Sequence, residues 1–439
     1  MPRDANRDAY YTVKGVAILH PMKRPPQLST TAAALAGIMT IMVMTATVRT
    51  QPAADWPQWR GPHRTGEVGS LRVPAVWPER LTVRWKKEVG LGYASPVVVS
   101  DRVFMHSRQG EDEVVAALDA RSGTEEWRAT YPAPITLEKY AESAGRGPKA
   151  TPVYADGRLF TFGISGILSA FDAGTGKLLW RRPAPPVGPL YTTSMSPLID
   201  RGLLIVHVGG HNRGALTAFD PATGKTIWEW AGDGPGYGSP VIAELGGTRQ
   251  VVTYTQEHVI GVNVETGDLL WRIPFKTPTI VSAQTPMIYG NTVIITGLER
   301  GLTAFRISRS GGSWSTEEVW KNDAVWMHLS NGVLLRDTIF GLSPQEKGRF
   351  ILMDAKTGKL LWSSKGREAE NAAIARSGDL LFALKDDGEL LVGHATPDAG
   401  FTELRKYQVA DSATWAQPAI SGNRVFVKDV STVALWTLD

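Results

Sequence analysis

From residue 81 onward the apolar positions come in short runs, alternating with polar ones or briefly continuous, each cut off by glycine, proline or a polar pair. Val97-Val98-Val99, Val103-Phe104-Met105 and Leu168-Ser169-Ala170 are examples. A period of two in segments this short predicts strands, with no long helix outside the first 53 residues. One nine-residue pattern recurs among them: Asp119 to Trp127, Asp172 to Trp180, Asp220 to Trp228, Asn263 to Trp271 and Asp354 to Trp362. In each, Ser or Thr stands three residues after the first position, Gly four after and Trp eight after, which places the glycines at Gly123, Gly176, Gly224, Gly267 and Gly358. This is hairpin chemistry. The Asp or Asn accepts from amides ahead of it, the Gly adopts positive φ, and the returning strand carries a Trp to bury against the next unit.

A second landmark precedes each hairpin: Ser95-Pro96, Thr151-Pro152, Ser196-Pro197, Ser239-Pro240 and Thr285-Pro286, with a pair of β-rich runs after it. Proline is tolerated at the first residue of a strand, where no ladder bond is yet needed, so each unit is expected to hold four strands. The outer-strand markers Trp85, Trp127, Trp180, Trp228, Trp271, Trp320, Trp362 and, by position, Tyr407 are spaced 42, 53, 48, 43, 49, 42 and 45 residues apart. Those spacings suit four-stranded propeller blades. The fold predicted is all-β: an eight-bladed β-propeller of four-stranded antiparallel blades over residues 81–439. Two blades are assigned by spacing alone, because the turn at Arg306 to Ser313 is degenerate and the eighth marker has lost its Trp. Val433 to Asp439 matches Ile167 to Asp172 and then stops, while Leu81 to Val89 is an outer strand without a blade. The N-terminal strand is therefore expected to close the ring on the C-terminal blade, leaving no open edge.

The composition, with 15 Trp, 45 Gly, 28 Pro and no Cys in 439 residues, agrees with many strands and tight turns and allows no disulfide. The net charge of +4 has a local origin. Six of the 47 basic residues and two of the 43 acidic ones fall in residues 1–53, leaving 41 of each in the body, so nucleic-acid binding is not expected. Residues 1–53 are expected to be a leader. An apolar run over 31–48 follows Lys23-Arg24, the layout of a secretory signal, with an uncleaved membrane anchor as the alternative and Met22 as a candidate start. Residues 54–80 form an N-terminal extension. The chain is expected to be exported, to the periplasm or envelope, with no lipid-modified Cys.

Candidate chemistry is sparse. The turn carboxylates sit in separate blades and are structural, and His207 and His211 flank Gly209-Gly210 with no third ligand nearby, so no metal site is expected. Nucleophile-elbow and phosphate-loop motifs are absent, and no catalytic residue is assigned. In a propeller, ligands meet the funnel formed by loops running from one blade's outer strand to the next blade's inner strand. The longest such loop is Thr130 to Lys149. The funnel candidates are Tyr93, Arg146, Lys149, Tyr237, Gln284, Trp326, His328 and Trp415.

With the repeat, Asp55 to Pro62, Tyr131 to Pro134 and Gly147 to Pro152 laid out, the chain resembles the PQQ-repeat propellers, the superfamily of quinoprotein alcohol dehydrogenases and of BamB-type outer-membrane assembly proteins. The resemblance to the BamB type implies a non-catalytic binding or scaffolding module with a protein, peptide or polysaccharide partner at the cell envelope, and no cofactor. The resemblance to the dehydrogenases implies the alternative, a PQQ- and Ca²⁺-dependent enzyme acting on alcohols or sugars. Such enzymes carry a vicinal cysteine pair against the cofactor, which this sequence lacks.

Overall fold

The computed structural model describes residues 55–439; the leader and its apolar run at 31–48 lie outside the described residues. Eight four-stranded antiparallel sheets follow one another along the chain. Blades 1 to 7 span residues 97–132, 153–182, 198–230, 241–274, 287–322, 333–363 and 372–408, with strand order running outward in sequence. Blade 8 combines residues 419–437 with Thr82–Glu88, which pairs antiparallel to Thr432–Thr437 and supplies the outermost strand. The expected closure of the ring by the N-terminal strand is therefore what the chain adopts. The two blades assigned by spacing, 5 and 7, are complete four-stranded sheets.

The eight expected markers all lie on outermost strands, and the pairing shows how each Trp is aimed. In seven blades the ladder skips the residue immediately before the Trp, as at Glu126, Leu179 and Ile227. Such a bulge rotates the following side chain out of the regular alternation. A small residue stands opposite in blades 1 to 5: Ala117, Ala170, Ala218, Gly261 and Ala304. The indole then lies over the glycine turn of the next blade and donates to a carbonyl beside it. Trp85 reaches Ala120 O at 3.2 Å, Trp127 reaches Ala173 O at 3.0 Å, Trp180 Pro221 O at 2.9 Å, Trp228 Val264 O at 2.8 Å and Trp320 Ala355 O at 3.0 Å. All five turns visible in the sequence are occupied in this way by the preceding blade.

Trp271 departs from the expectation. Blade 5, the next in the ring, has Gly311-Gly312 at a long hairpin in place of the Asp-Gly turn, and the Trp271 indole donates to Gln250 Oε1 of its own blade at 2.6 Å. Tyr407, lacking an indole, donates its hydroxyl to Pro78 O in the extension at 2.8 Å.

The extension enters the central channel. Trp56 pairs with Val98 of blade 1, Pro57 O accepts from Tyr154 N of blade 2, Val68 N donates to Arg376 O of blade 7, and Gly422 N of blade 8 donates to Ser70 O. Each partner belongs to or adjoins an innermost strand, so residues 55–72 form a plug that pairs with edges otherwise open to the channel.

Gly358 sits at φ +70°, and a Cβ there would lie 2.3 Å from Trp320 Cε3, whereas Gly157 at φ +74° has open space around it. Gly157→Ala is expected to cost only the left-handed backbone penalty, about 1–2 kcal/mol. Gly358→Ala adds the loss of the indole seat and is expected to exceed about 3 kcal/mol, measured as a drop in urea midpoint. Equal midpoints for the two variants would contradict the docking role.

Candidate functional site

The sequence of strands decides which loops share a face. Connections from the outermost strand of one blade to the innermost strand of the next converge on one end of the channel, here called the mouth. At each strand start the Ser or Thr preceding proline does more than introduce the strand. Ser95 N donates to Thr151 Oγ1 at 3.1 Å, Thr151 N to Ser196 Oγ at 3.0 Å, and Ser196 N to Ser239 Oγ at 3.0 Å. Asn331 Oδ1 serves Thr285 N, Ser330 Oγ serves Ala372 N, and Ser95 Oγ serves Gln417 N across the closing seam. These bonds make a belt beneath the mouth, linking buried amides of one blade to the next.

Above the belt the structure brings several expected residues together. Tyr93 lies against Trp415 with ring centroids 6.4 Å apart, and its phenol is pushed up by burial. The long loop arrives beside it: a short 3₁₀ turn, Lys139–Ala144, is followed by Gly147-Pro148, whose Pro148 O accepts from Tyr93 N at 2.8 Å. Lys149 is largely buried there and donates to Thr192 Oγ1 at 2.6 Å. Burial pulls its ammonium down to about 8. Tyr237 packs edge-on to Tyr191 at 5.8 Å and next to His211 at 6.1 Å. His211 is lowered by burial, as is His328. Both His211 ring nitrogens, His328 Nδ1 and Trp326 Nε1 are buried without a hydrogen-bond partner.

Two candidates take other roles. Arg146 is exposed and turns to Glu111 and Ile135 O, along the rim of blade 1. Gln284 is buried, its amide donating to His328 O at 2.6 Å and Ser330 O at 3.0 Å, so it ties adjacent loops together. His207 lies within a strand of blade 3, its Nε2 against Asp233 O at 2.9 Å and its pKa pulled to about 4 by burial. Among the described residues no group of three or more His, Cys, Asp or Glu could hold a metal ion.

Sequence reasoning did not single out three further polar sets. Glu113, wholly buried, accepts from Tyr131 OH at 2.7 Å and Ile164 N at 2.7 Å and lies 3.2 Å from His106 Nε2. Although burial alone would raise it, His106, Tyr131 and the Ile164 amide together hold this carboxyl below its usual range. It bonds blade 1 to blade 2. Asp233 and His258 pair at 2.6 Å between blades 3 and 4. In the plug, Arg60 and Arg64 are almost fully buried, and their only sequence signal is a Trp-Arg-Gly-Pro stretch that belongs to no blade. A cavity of about 540 Å³ lies between blades 2 and 3, beside Arg182, Arg213 and Phe219.

With this geometry in hand, comparison places the chain. A family model described as outer membrane protein assembly factor BamB matches residues 111–363, more than half of the sequence. The chain belongs to that family. The propeller resembles the BamB crystal structure from Moraxella catarrhalis, with a TM-score of 0.58 and 16% identity over 81% of this chain and 97% of that one. It also resembles quinohemoprotein alcohol dehydrogenase from Comamonas testosteroni, with a TM-score of 0.65 and 16% identity over 88% and 80%. In sequence, 165 residues are 28% identical to 1-butanol dehydrogenase (cytochrome c) of Thauera butanivorans, covering 35% of this chain and only 23% of that protein. At such identities the structural likenesses establish the shared fold and leave function to the site.

The site makes one prediction about this BamB-family propeller. The folded chain releases the Lys149 proton near pH 8, while the unfolded chain holds it to 10.5, so over that interval the unfolded state binds more protons. Stability must rise with pH across the window, and Lys149→Met is expected to remove its share of the slope. Chemical denaturation at several pH values between 7 and 10.5 measures it; an unchanged slope would show that Lys149 is not desolvated.

Proposed function

We infer that this chain is a non-catalytic scaffolding propeller of the cell envelope, exported by its leader over residues 1–53, that receives a protein partner at its mouth. The carrying observation is the character of the mouth. Paired aromatic surfaces, Tyr93 with Trp415 and Tyr191 with Tyr237, stand near a desolvated ammonium at Lys149 and buried ring nitrogens that lack partners at His211, Trp326 and His328. Aromatic surfaces with a small number of convergent polar groups suit an extended peptide, whose carboxylates and carbonyls accept from the Lys149 ammonium and whose side chains cover the rings. Membership in the family described as an outer membrane assembly factor supports the same reading.

The second reading, a PQQ- and Ca²⁺-dependent dehydrogenase of alcohols or sugars, is favoured by the stretch that matches 1-butanol dehydrogenase. Calcium takes six to eight oxygen ligands, chiefly carboxylate and carbonyl. Among the described residues no three His, Cys, Asp or Glu gather into such a set, and Tyr93, Tyr237, Trp326, Trp415, His328 and Lys149 offer phenols, indoles, an imidazole and an amine, which do not fit that ion.

Titrating the full chain with a fluorescent extended peptide bearing aromatic and acidic residues is expected to give saturable anisotropy and quenching of tryptophan emission. Lys149→Met is expected to weaken binding about tenfold. Absence of peptide binding, together with PQQ-dependent dye reduction in the presence of Ca²⁺ and an alcohol, would replace this reading with the second.

A further inference from the structure

The plug carries two guanidiniums into the channel without a counter-charge. Arg60 is 2% exposed and Arg64 3%. Arg60 Nη2 donates to Gly332 O at 2.6 Å and Thr65 O at 3.1 Å; Arg64 donates to Pro197 O at 2.9 Å, Ser196 O at 3.0 Å and Gln58 Oε1 at 3.0 Å. Every acceptor is neutral. The Nε of each arginine is buried and has no partner, and the same is true of Arg376 Nε nearby, although Arg376 Nη2 pairs with Glu67 at 2.9 Å.

Beside these groups is a cavity of about 230 Å³ where the plug passes blades 4 to 6. Arg60, His63, Arg64 and Arg376 contribute to its lining, no Asp or Glu does, and Val241 and Met287 supply part of its apolar wall. A single water needs only about 10–15 Å³, so the space admits a ligand of several heavy atoms. An isolated buried cation is unfavourable unless paired, and arginine's planar fork is matched by the oxygens of phosphate and carboxylate. Consistent with this, burial pushes Arg60 down to about 10, and burial with Arg60 as neighbour pushes Arg64 down to about 9. Neither is held up by a carboxylate.

We propose that this cavity is a binding site for a compact oxyanion group, phosphate, sulfate or carboxylate, held by Arg60 and Arg64 between the plug and the innermost strands. The anion supplies the missing negative charge and accepts from the unpaired Nε–H groups. It would thereby fasten the N-terminal extension to the far side of the ring, at blades 4 to 6, where the plug's backbone makes no pairing of the kind it makes with blades 1, 2, 7 and 8. The site goes beyond the reading of the mouth and stands whether or not a peptide binds there.

The test is calorimetric titration of the full chain with potassium phosphate, sulfate and acetate, at ionic strength fixed with chloride. At least one is expected to bind saturably with a stoichiometry near one and to raise the melting temperature. Arg64→Met is expected to weaken binding at least roughly tenfold. Because that change also loosens the plug, Val241→Phe, which fills the cavity and leaves both arginines intact, is expected to abolish binding in a protein whose near-ultraviolet circular dichroism is unchanged. No saturable binding of any of the three anions, or binding untouched by Val241→Phe, would overturn the assignment and leave the arginines as staples to backbone carbonyls.

Discussion

A four-stranded blade has two apolar faces and cannot bury either alone, so the molecule depends on what joins one blade to the next. That joint is an indole seated on a glycine. A Cβ at Gly123, Gly176, Gly224, Gly267 or Gly358 would fall 2.3–2.7 Å from the nearest atom of the Trp ring that covers it. The same residues need positive φ, from +68° to +77°. One glycine therefore satisfies two demands, a left-handed turn and a flat seat, and the bulge before each Trp delivers the ring to it. Trp271 lacks such a seat. Its indole hydrogen bond turns back to its own blade, and that junction depends on packing among Trp271, Phe275, Val293 and Ile307.

The indoles act at the outer strands, and a second set of bonds acts at the inner ones. The hydroxyls of Thr151, Ser196 and Ser239, with Ser95 at the seam, each accept the amide of a residue in the adjoining blade. Proline immediately after each hydroxyl has no N–H to compete and fixes the chain's direction into the strand. Blades held at both radii cannot pivot independently, which is what lets loops from separate blades form one mouth.

The ring was legible in the sequence because it repeats: Asp-x-x-Thr-Gly with Trp at a fixed distance is a local pattern with a single physical use. The belt was half legible. Ser-Pro and Thr-Pro were visible, but their meaning as strand starts hid the role of the hydroxyl, whose partner lies 43 to 56 residues away. The mouth was legible as a set of loops and only partly as a set of contacts. Tyr93, Lys149, Tyr237 and Trp415 come to the expected face, whereas Gln284 is consumed by backbone carbonyls and Arg146 by Glu111. Arg60 and Arg64 gave no signal of their role beyond a Trp-Arg-Gly-Pro stretch, since a segment that occurs once has no period and its partners lie as far as 272 residues away.

Closing a ring of eight blades leaves innermost strands with one edge facing the axis, and the chain answers this with its own residues 55–72. A regular strand could satisfy the edge of only one blade. An irregular segment with two long guanidiniums reaches both sides: its backbone pairs with blades 1, 2, 7 and 8, and its arginines extend to carbonyls at the starts of blades 3 and 6. Arg60 and Arg64 themselves adopt positive φ, 57° and 60°, a conformation disfavoured for such residues and sustained here by the contacts around it. The carbonyls they reach, of Ser196, Pro197 and Gly332, stand at strand starts among the belt residues, so the plug's basic cavity is built against the belt that also supports the aromatic mouth.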